Sequence, residues 1–102
     1  MDITKTQSGN KTIFSLAGRL DTMSAPQLQA ALLPEFDLAK EVELDFSELA
    51  YVSSAGLRVL LMGEKAAEAR GGSMTLAGVS AEIMNVFEMT GLDDIFHIAP
   101  GQ

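Results

Sequence analysis

The chain has no cysteine and a single histidine, His97. Disulfides, thiolate catalysis and Cys/His zinc sites are thereby excluded, and many enzyme classes go with them. Basic residues are scarce too: seven Lys and Arg face fourteen Asp and Glu, which leaves a net charge of -7 at pH 7 and a pI near 4.4. Nucleic acid or an anionic membrane would be repelled by such a surface, whereas a basic protein partner is compatible with it. No run approaches the roughly 20 apolar residues of a membrane-spanning helix. The opening residues Met1-Asp2-Ile3-Thr4-Lys5 lack the basic-then-apolar build of a signal peptide, so no direct membrane insertion is expected and the cytoplasm is the default compartment. No Asp-rich loop has calcium-hand spacing, and neither a metal nor a cofactor is expected. Linkers, internal repeats and low-complexity tracts are missing as well.

What is present suits one compact core. The 102 residues fall in the size range of one domain, and 47% hydrophobic against 21% charged residues is too apolar for a disordered chain. One domain spanning 1–102 is expected. Two short runs, 3–7 and 12–16, flank Ser8-Gly9-Asn10-Lys11, where Gly and Asn would supply the positive φ of a hairpin turn. Ser24-Ala25-Pro26-Gln27 has the form of a capping box with Ser24 as N-cap and Gln27 reaching back. Leu28, Ala31 and Leu32 then fall on one helical face, and Pro34 limits the helix.

Residues 41–46 alternate polar and apolar, the period of a strand whose Val42, Leu44 and Phe46 face the core. A link over 47–53 leads to a helix over 55–70, with a buried stripe at 55, 59, 62, 66 and 69 widened by Leu57, Leu60 and Leu61. Gly71-Gly72 closes it; an anion-binding nest there is disfavoured, because no Lys-Ser/Thr follows. A strand over 74–77 precedes a helix capped by Ser80, with Ile83, Val86 and Phe87 on one face and Gly91 as its stop. Residues 95–99 suggest a last strand, and Pro100-Gly101-Gln102 a loose end. The order β-β-α-β-α-β-α-β implies an α/β fold in which helices pack on a mixed sheet.

The most informative stretch runs from Asp45 to Leu57. It passes from strand through loop into a helix that is apolar almost from its first residue, with Ser54 read as the N-cap. There the N–H groups of Ala55, Gly56 and Leu57 would lack intrahelical partners, and the helix dipole adds partial positive charge, so a dianionic phosphate on Ser54 would be accommodated. Gly56, lacking a side chain, would let a partner's backbone or a phosphate approach. The plainer reading is that Ser54, like Ser53, is only a cap.

These residues resemble a family. Asp45-Phe46-Ser47 followed by Tyr51-Val52-Ser53-Ser54-Ala55-Gly56-Leu57 looks like the signature of the STAS domain, shared by sulfate transporters and anti-sigma factor antagonists. Gly18-Arg19-Leu20-Asp21 matches that family's Gly-x-Leu-Asp segment, and Phe87-Glu88-Met89-Thr90-Gly91-Leu92 resembles its segment near the C-terminus. The resemblance covers nearly the whole chain and implies a STAS-like mixed sheet of four to five strands. The family's switch reads Asp-Ser-Ser/Thr-Gly-Leu, with the first serine accepting phosphate. That serine is Ser54 here, with Ser53 in place of the Asp, Ala55 in place of the second hydroxyl, and Ser53 a weaker candidate acceptor.

The function implied is that of a non-enzymatic anti-sigma factor antagonist, a bacterial phosphoprotein that regulates transcription by partner switching. Unmodified, it captures an anti-sigma factor that is also a serine kinase; phosphate on Ser54 ends the capture, and a serine phosphatase resets it. Asp21, Ser53, Ala55, Gly56, Leu57 and Arg58 are the residues expected to meet the partner. Asp21 would sit at the same end of the sheet as Ser54, either touching the kinase or serving as a turn residue beside Thr22. The alternative is an accessory subunit of a lipid or anion transporter, never phosphorylated. No small-molecule substrate is expected.

Remaining features read as structural. His97 has no Ser, Asp or Glu arranged around it by a recognised motif. Met23, Met62, Met74, Met84 and Met89 read mainly as core filling. Glu82 suits the positive end of its own helix, and Glu88, Asp93 and Asp94 a solvated face.

Overall fold

The computed structural model describes residues 1–100; of the loose end expected at 100–102, Gly101 and Gln102 lie outside the described residues. Strands β1 (Asp2–Ser8) and β2 (Lys11–Leu20) form an antiparallel hairpin. Gly9 alone supplies the positive φ, at 64°, and Asn10 does not share it. After β2 come helix α1 (Ala25–Leu32), a 3₁₀ segment (Leu33–Asp37), strand β3 (Glu41–Val52), helix α2 (Ser54–Ala69), strand β4 (Ser73–Ala77), helix α3 (Ala81–Thr90) and strand β5 (His97–Ile98). The sheet is mixed and five-stranded in the order β1-β2-β3-β4-β5, with only the first pair antiparallel. The expected order of elements is therefore present, with the last strand cut to two residues.

β3 departs most from expectation. It does not end at Phe46 but continues through the segment read as a link. Its buried residues are Val42, Leu44, Phe46, Leu49 and Val52, so the spacing changes from two to three after Phe46. The register against β2 explains this. Ser15 pairs with Asp45 but Ala17 with Glu48, and Gly18 pairs with Leu49 but Arg19 with Tyr51. Each step leaves an extra residue on β3, and each bulge returns the next apolar side chain to the core.

All three helices cover the face of the sheet that carries these residues: Phe87 of α3 meets Phe46, with ring centroids 6.5 Å apart. The opposite face, with Thr4, Ser15, Glu43 and Asp45, is half-buried or exposed. The buried stripe of α2 is Gly56, Val59, Leu60, Gly63, Glu64 and Ala67, one residue out of phase with the stripe expected. Glycine lets the helix sit close. A Cβ on Gly63 would lie 2.8 Å from Met74 Sδ and 2.9 Å from Leu32 Cδ2. Met74 is buried and Met62 and Met84 half-buried, but Met23 and Met89 are exposed, so core filling holds for only part of the methionine set.

Candidate functional site

The end of β2, the end of β3 and the start of α2 meet at one corner. Ser53 N–H donates to Leu20 O at 2.8 Å, which keeps Ser53 extended at φ -91° and ψ 173°. Its Oγ accepts from Gly56 N–H at 3.2 Å, and its carbonyl accepts from Leu57 N–H at 2.9 Å. Ser53, not Ser54, is therefore the N-cap, and Ser54 is the first helical residue. Two neighbouring serines are equally good caps by type; the bond to Leu20 decides between them.

Ser54 is exposed, and its hydroxyl has no partner among the described residues. Because Ser53 serves Gly56 and Leu57, the helix-start N–H groups left without an acceptor among the described residues are those of Ser54 and Ala55, not the three expected. Gly56 is also corrected. It is buried and faces inward, where a Cβ would lie 2.7 Å from Leu20 Cγ and 3.0 Å from Leu20 O. Its missing side chain admits β2, not a visitor. Ala55 and Leu57 are half-buried and Arg58 is exposed.

Asp21 follows directly on Leu20 and so reaches this same corner. Its Oδ1 accepts from Ser24 N–H at 3.0 Å and Met23 N–H at 3.1 Å. The Ser24 backbone bond, helped by the Ser24 hydroxyl and Met23 and opposed by partial desolvation, holds the carboxyl below its ordinary value. Asp21 is thus a turn residue in this structure and organises the entry to α1. The capping box expected there does not form: Ser24 Oγ donates to Arg19 O at 2.7 Å, and Gln27 Nε2 donates to Met1 O at 3.1 Å.

Two neighbours were not read from the sequence as part of this corner. Met23, 87% exposed, projects from the turn that Asp21 holds. Arg19 lies over the Tyr51 ring, 4.1 Å from its centroid, a pairing that the second bulge creates and that no local pattern announces. Asp45 accepts from Ser47 through N–H and hydroxyl, and both pack on Gly78, where a Cβ would lie 2.8 Å from Ser47 Oγ. The Asp-Phe-Ser segment thus shapes the sheet.

Away from this corner, His97 does have an acid beside it. Its Nε2 lies 3.4 Å from Oε2 of buried Glu64, and Glu64 Oε1 has no hydrogen-bond partner among the described residues. Burial pushes the Glu64 carboxyl above its ordinary value, with His97 opposing and Glu68 adding to the shift. Glu82, Glu88 and Asp94 are exposed and Asp93 half-buried. Among the described residues, no helix is long and apolar enough to cross a membrane.

The family model described as "Mlab, STAS domain" matches residues 3–99. The anti-sigma-B factor antagonist of Bacillus subtilis is 31% identical over 93 residues, covering 91% of this chain and 85% of that protein. The Bacillus cell fate determinant SpoIIAA in its phosphorylated form aligns with a TM-score of 0.76 at 20% identity, over 97% of this chain and 92% of its own. A sulfate transporter family protein from Wolinella succinogenes aligns at 0.74 and 20% identity, over 88% and 74%; at such identities the likeness is one of fold. With a family match along almost its full length, the chain belongs to the STAS domain family, in its anti-sigma factor antagonist type.

Proposed function

We propose that this chain works as one domain in the cytoplasm, as a partner-switching regulator that holds an anti-sigma factor with serine kinase activity until Ser54 is phosphorylated. The observation that carries this reading is the division of labour between the two serines. Ser53 Oγ is engaged in the cap, while Ser54 offers an exposed hydroxyl at the head of a 16-residue helix. In the transfer, Ser54 Oγ attacks the γ-phosphorus of a nucleoside triphosphate. The new O–P bond forms as the bond to the bridging oxygen breaks, the nucleoside diphosphate leaves, and the hydroxyl proton passes to a base of the kinase. A phosphatase resets the switch by directing water onto the phosphorus, releasing inorganic phosphate.

The modification adds about -1.5 to -2 charge. An interface shaped for a neutral hydroxyl would have to bury that charge unpaired, at a cost of several kcal/mol, so the complex separates. Ala55, Leu57 and Arg58, in the same first turns of α2, serve as partner contacts, Asp21 and Ser53 hold the corner in shape, and Gly56 acts from below by letting α2 seat on β2. The chain is substrate and ligand here, not catalyst. The solved phosphorylated form of SpoIIAA supports the reading by its fold.

The test is transfer of phosphate from ATP by the cognate kinase, with the modified peptide located by mass spectrometry. Ser54→Ala is expected to take up none and Ser53→Ala to take up one. Phosphate on Ser54→Ala protein means that the site is elsewhere.

A second reading, an unphosphorylated accessory subunit of a lipid or anion transporter, is favoured by the fold shared with a sulfate transporter family protein and by Ser53 standing where the family's switch has Asp. Co-purification with a transport ATPase, and no phosphate after exposure to the kinase, would favour it.

A further inference from the structure

Seven cationic side chains share this acidic chain, and most are committed. Lys5 pairs with Glu35 at 2.8 Å, Lys11 with Glu43 at 3.1 Å and Arg70 with Asp37 at 2.6 Å. Arg19 sits on Tyr51, and Lys40 donates to Arg70 O at 3.2 Å. That leaves Arg58 and Lys65, both exposed and both without a partner among the described residues.

For Arg58 the helix explains why. Its neighbours three and four positions away along α2 are Ser54, Ala55, Leu61 and Met62; none is a carboxylate. With fourteen acids in the chain, a guanidinium has been left on a face that offers it nothing to pair with. One position on that face can acquire negative charge, and it is Ser54, one turn back.

We propose that Arg58 is the counter-charge for phosphoserine at position 54, left free in the unmodified protein and claimed by the phosphate once it is attached. This rests on the reading of Ser54 as the acceptor. Side chains on a helix lean toward its N-terminus, so Arg58 covers the turn that begins with Ser54. An acid four residues ahead of a base is also the favourable order for such a pair. A guanidinium presents a fork that two phosphate oxygens can occupy together. Phosphorylation therefore changes the partner-facing surface twice: it adds anionic charge, and it removes the free guanidinium.

The experiment needs no kinase. Phosphoserine is incorporated at position 54 during translation, and its second ionisation, near pH 6 in a free phosphoserine, is followed by phosphorus NMR in the wild-type sequence and in Arg58→Gln, Arg58→Lys and Lys65→Gln. The expected midpoint is lower with Arg58 than in Arg58→Gln by about 0.3 pH unit, the size of an exposed helical ion pair. Arg58→Lys should restore part of the shift and Lys65→Gln should leave it intact. At about 1 M salt, where screening reaches ~3 Å, the difference should shrink. Equal midpoints in the wild type and Arg58→Gln overturn the proposal, as does an equal displacement by Lys65→Gln, which would mark a general field. A kinase that ignores Ser54 would defeat the switching reading yet leave this result standing, so the two failures are distinguishable.

Discussion

Ser53 and Ser54 are joined by one peptide bond and separated by role. Ser53 has its N–H on Leu20 O, its carbonyl on Leu57 and its hydroxyl on Gly56. Ser54 keeps its hydroxyl in solvent. Ser53→Ala should therefore lose a helix cap, about 0.5–2 kcal/mol of stability, while Ser54→Ala should stay within ~0.5 kcal/mol of the parent, as surface substitutions do. Urea unfolding of the two variants measures both. The same asymmetry bears on what is modified, because the Ser53 hydroxyl is already engaged as the acceptor that orders the first turn. At this scale the sequence was legible in kind: a serine at the head of α2 with a free hydroxyl. Which of the two was the cap was not legible, since that depends on where β2 ends.

At the scale of elements, α2 is held against the sheet by a stripe that includes a carboxylate. Glu64 is 2% exposed, and one of its oxygens has no partner among the described residues. Burial is the largest influence on it and raises its folded-state value above the ordinary 4.5. The folded protein then holds that proton more tightly than the unfolded chain does. The resulting stability is fully present below the unfolded value and lost as pH rises through the raised folded value. Glu64→Gln should accordingly be more stable than the parent at pH 7, with the advantage vanishing below about pH 4.5, where the parent's carboxyl is protonated in both states. Unfolding midpoints at pH 4 and pH 7 decide it, and an unchanged pH profile in Glu64→Gln would remove the argument. Glu35 works in the opposite sense. Burial pushes its carboxyl up, but Lys5 at 2.8 Å and the Thr12 hydroxyl at 2.7 Å outweigh that and hold it down, so its contribution is lost as pH falls through the lowered value. Glu64 also explains why α2 was read out of phase. Its core face carries Gly56, Gly63 and a charge, whereas apolar residues at 55, 62 and 66 are only half-buried and Ala69 is exposed. In β3 the bulges replaced the period of two with a period of three, which reads locally as a loop. α3 was legible throughout, because Ser80 caps it by accepting from Ile83 N–H at 3.2 Å and Gly91 ends it at φ 78°.

Over the whole molecule the sheet is paired on both sides in the middle and thin at its edges. β2 and β3 are bonded on both sides, while β1 is exposed along most of its length and β5 has two residues. Amide exchange should rank the strands accordingly, slowest in the cores of β2 and β3 and fastest in β5, because local opening follows the contacts that must be broken; mass spectrometry of exchanging peptides provides the check. The order β-β-α-β-α-β-α-β was readable because each helix has its own punctuation in Pro, Gly or Ser, whereas β5 is defined by tertiary pairing more than by its own residues. The corner where Ser53 donates to the Leu20 carbonyl and Gly56 rests on the Leu20 side chain leaves no slack between helix and sheet. A tilt or slide of α2 over β2 would have to break that bond and open that contact. On the proposal that Ser54 takes up phosphate, the mark is read from outside, as a change of electrical face, rather than transmitted through the body of the domain.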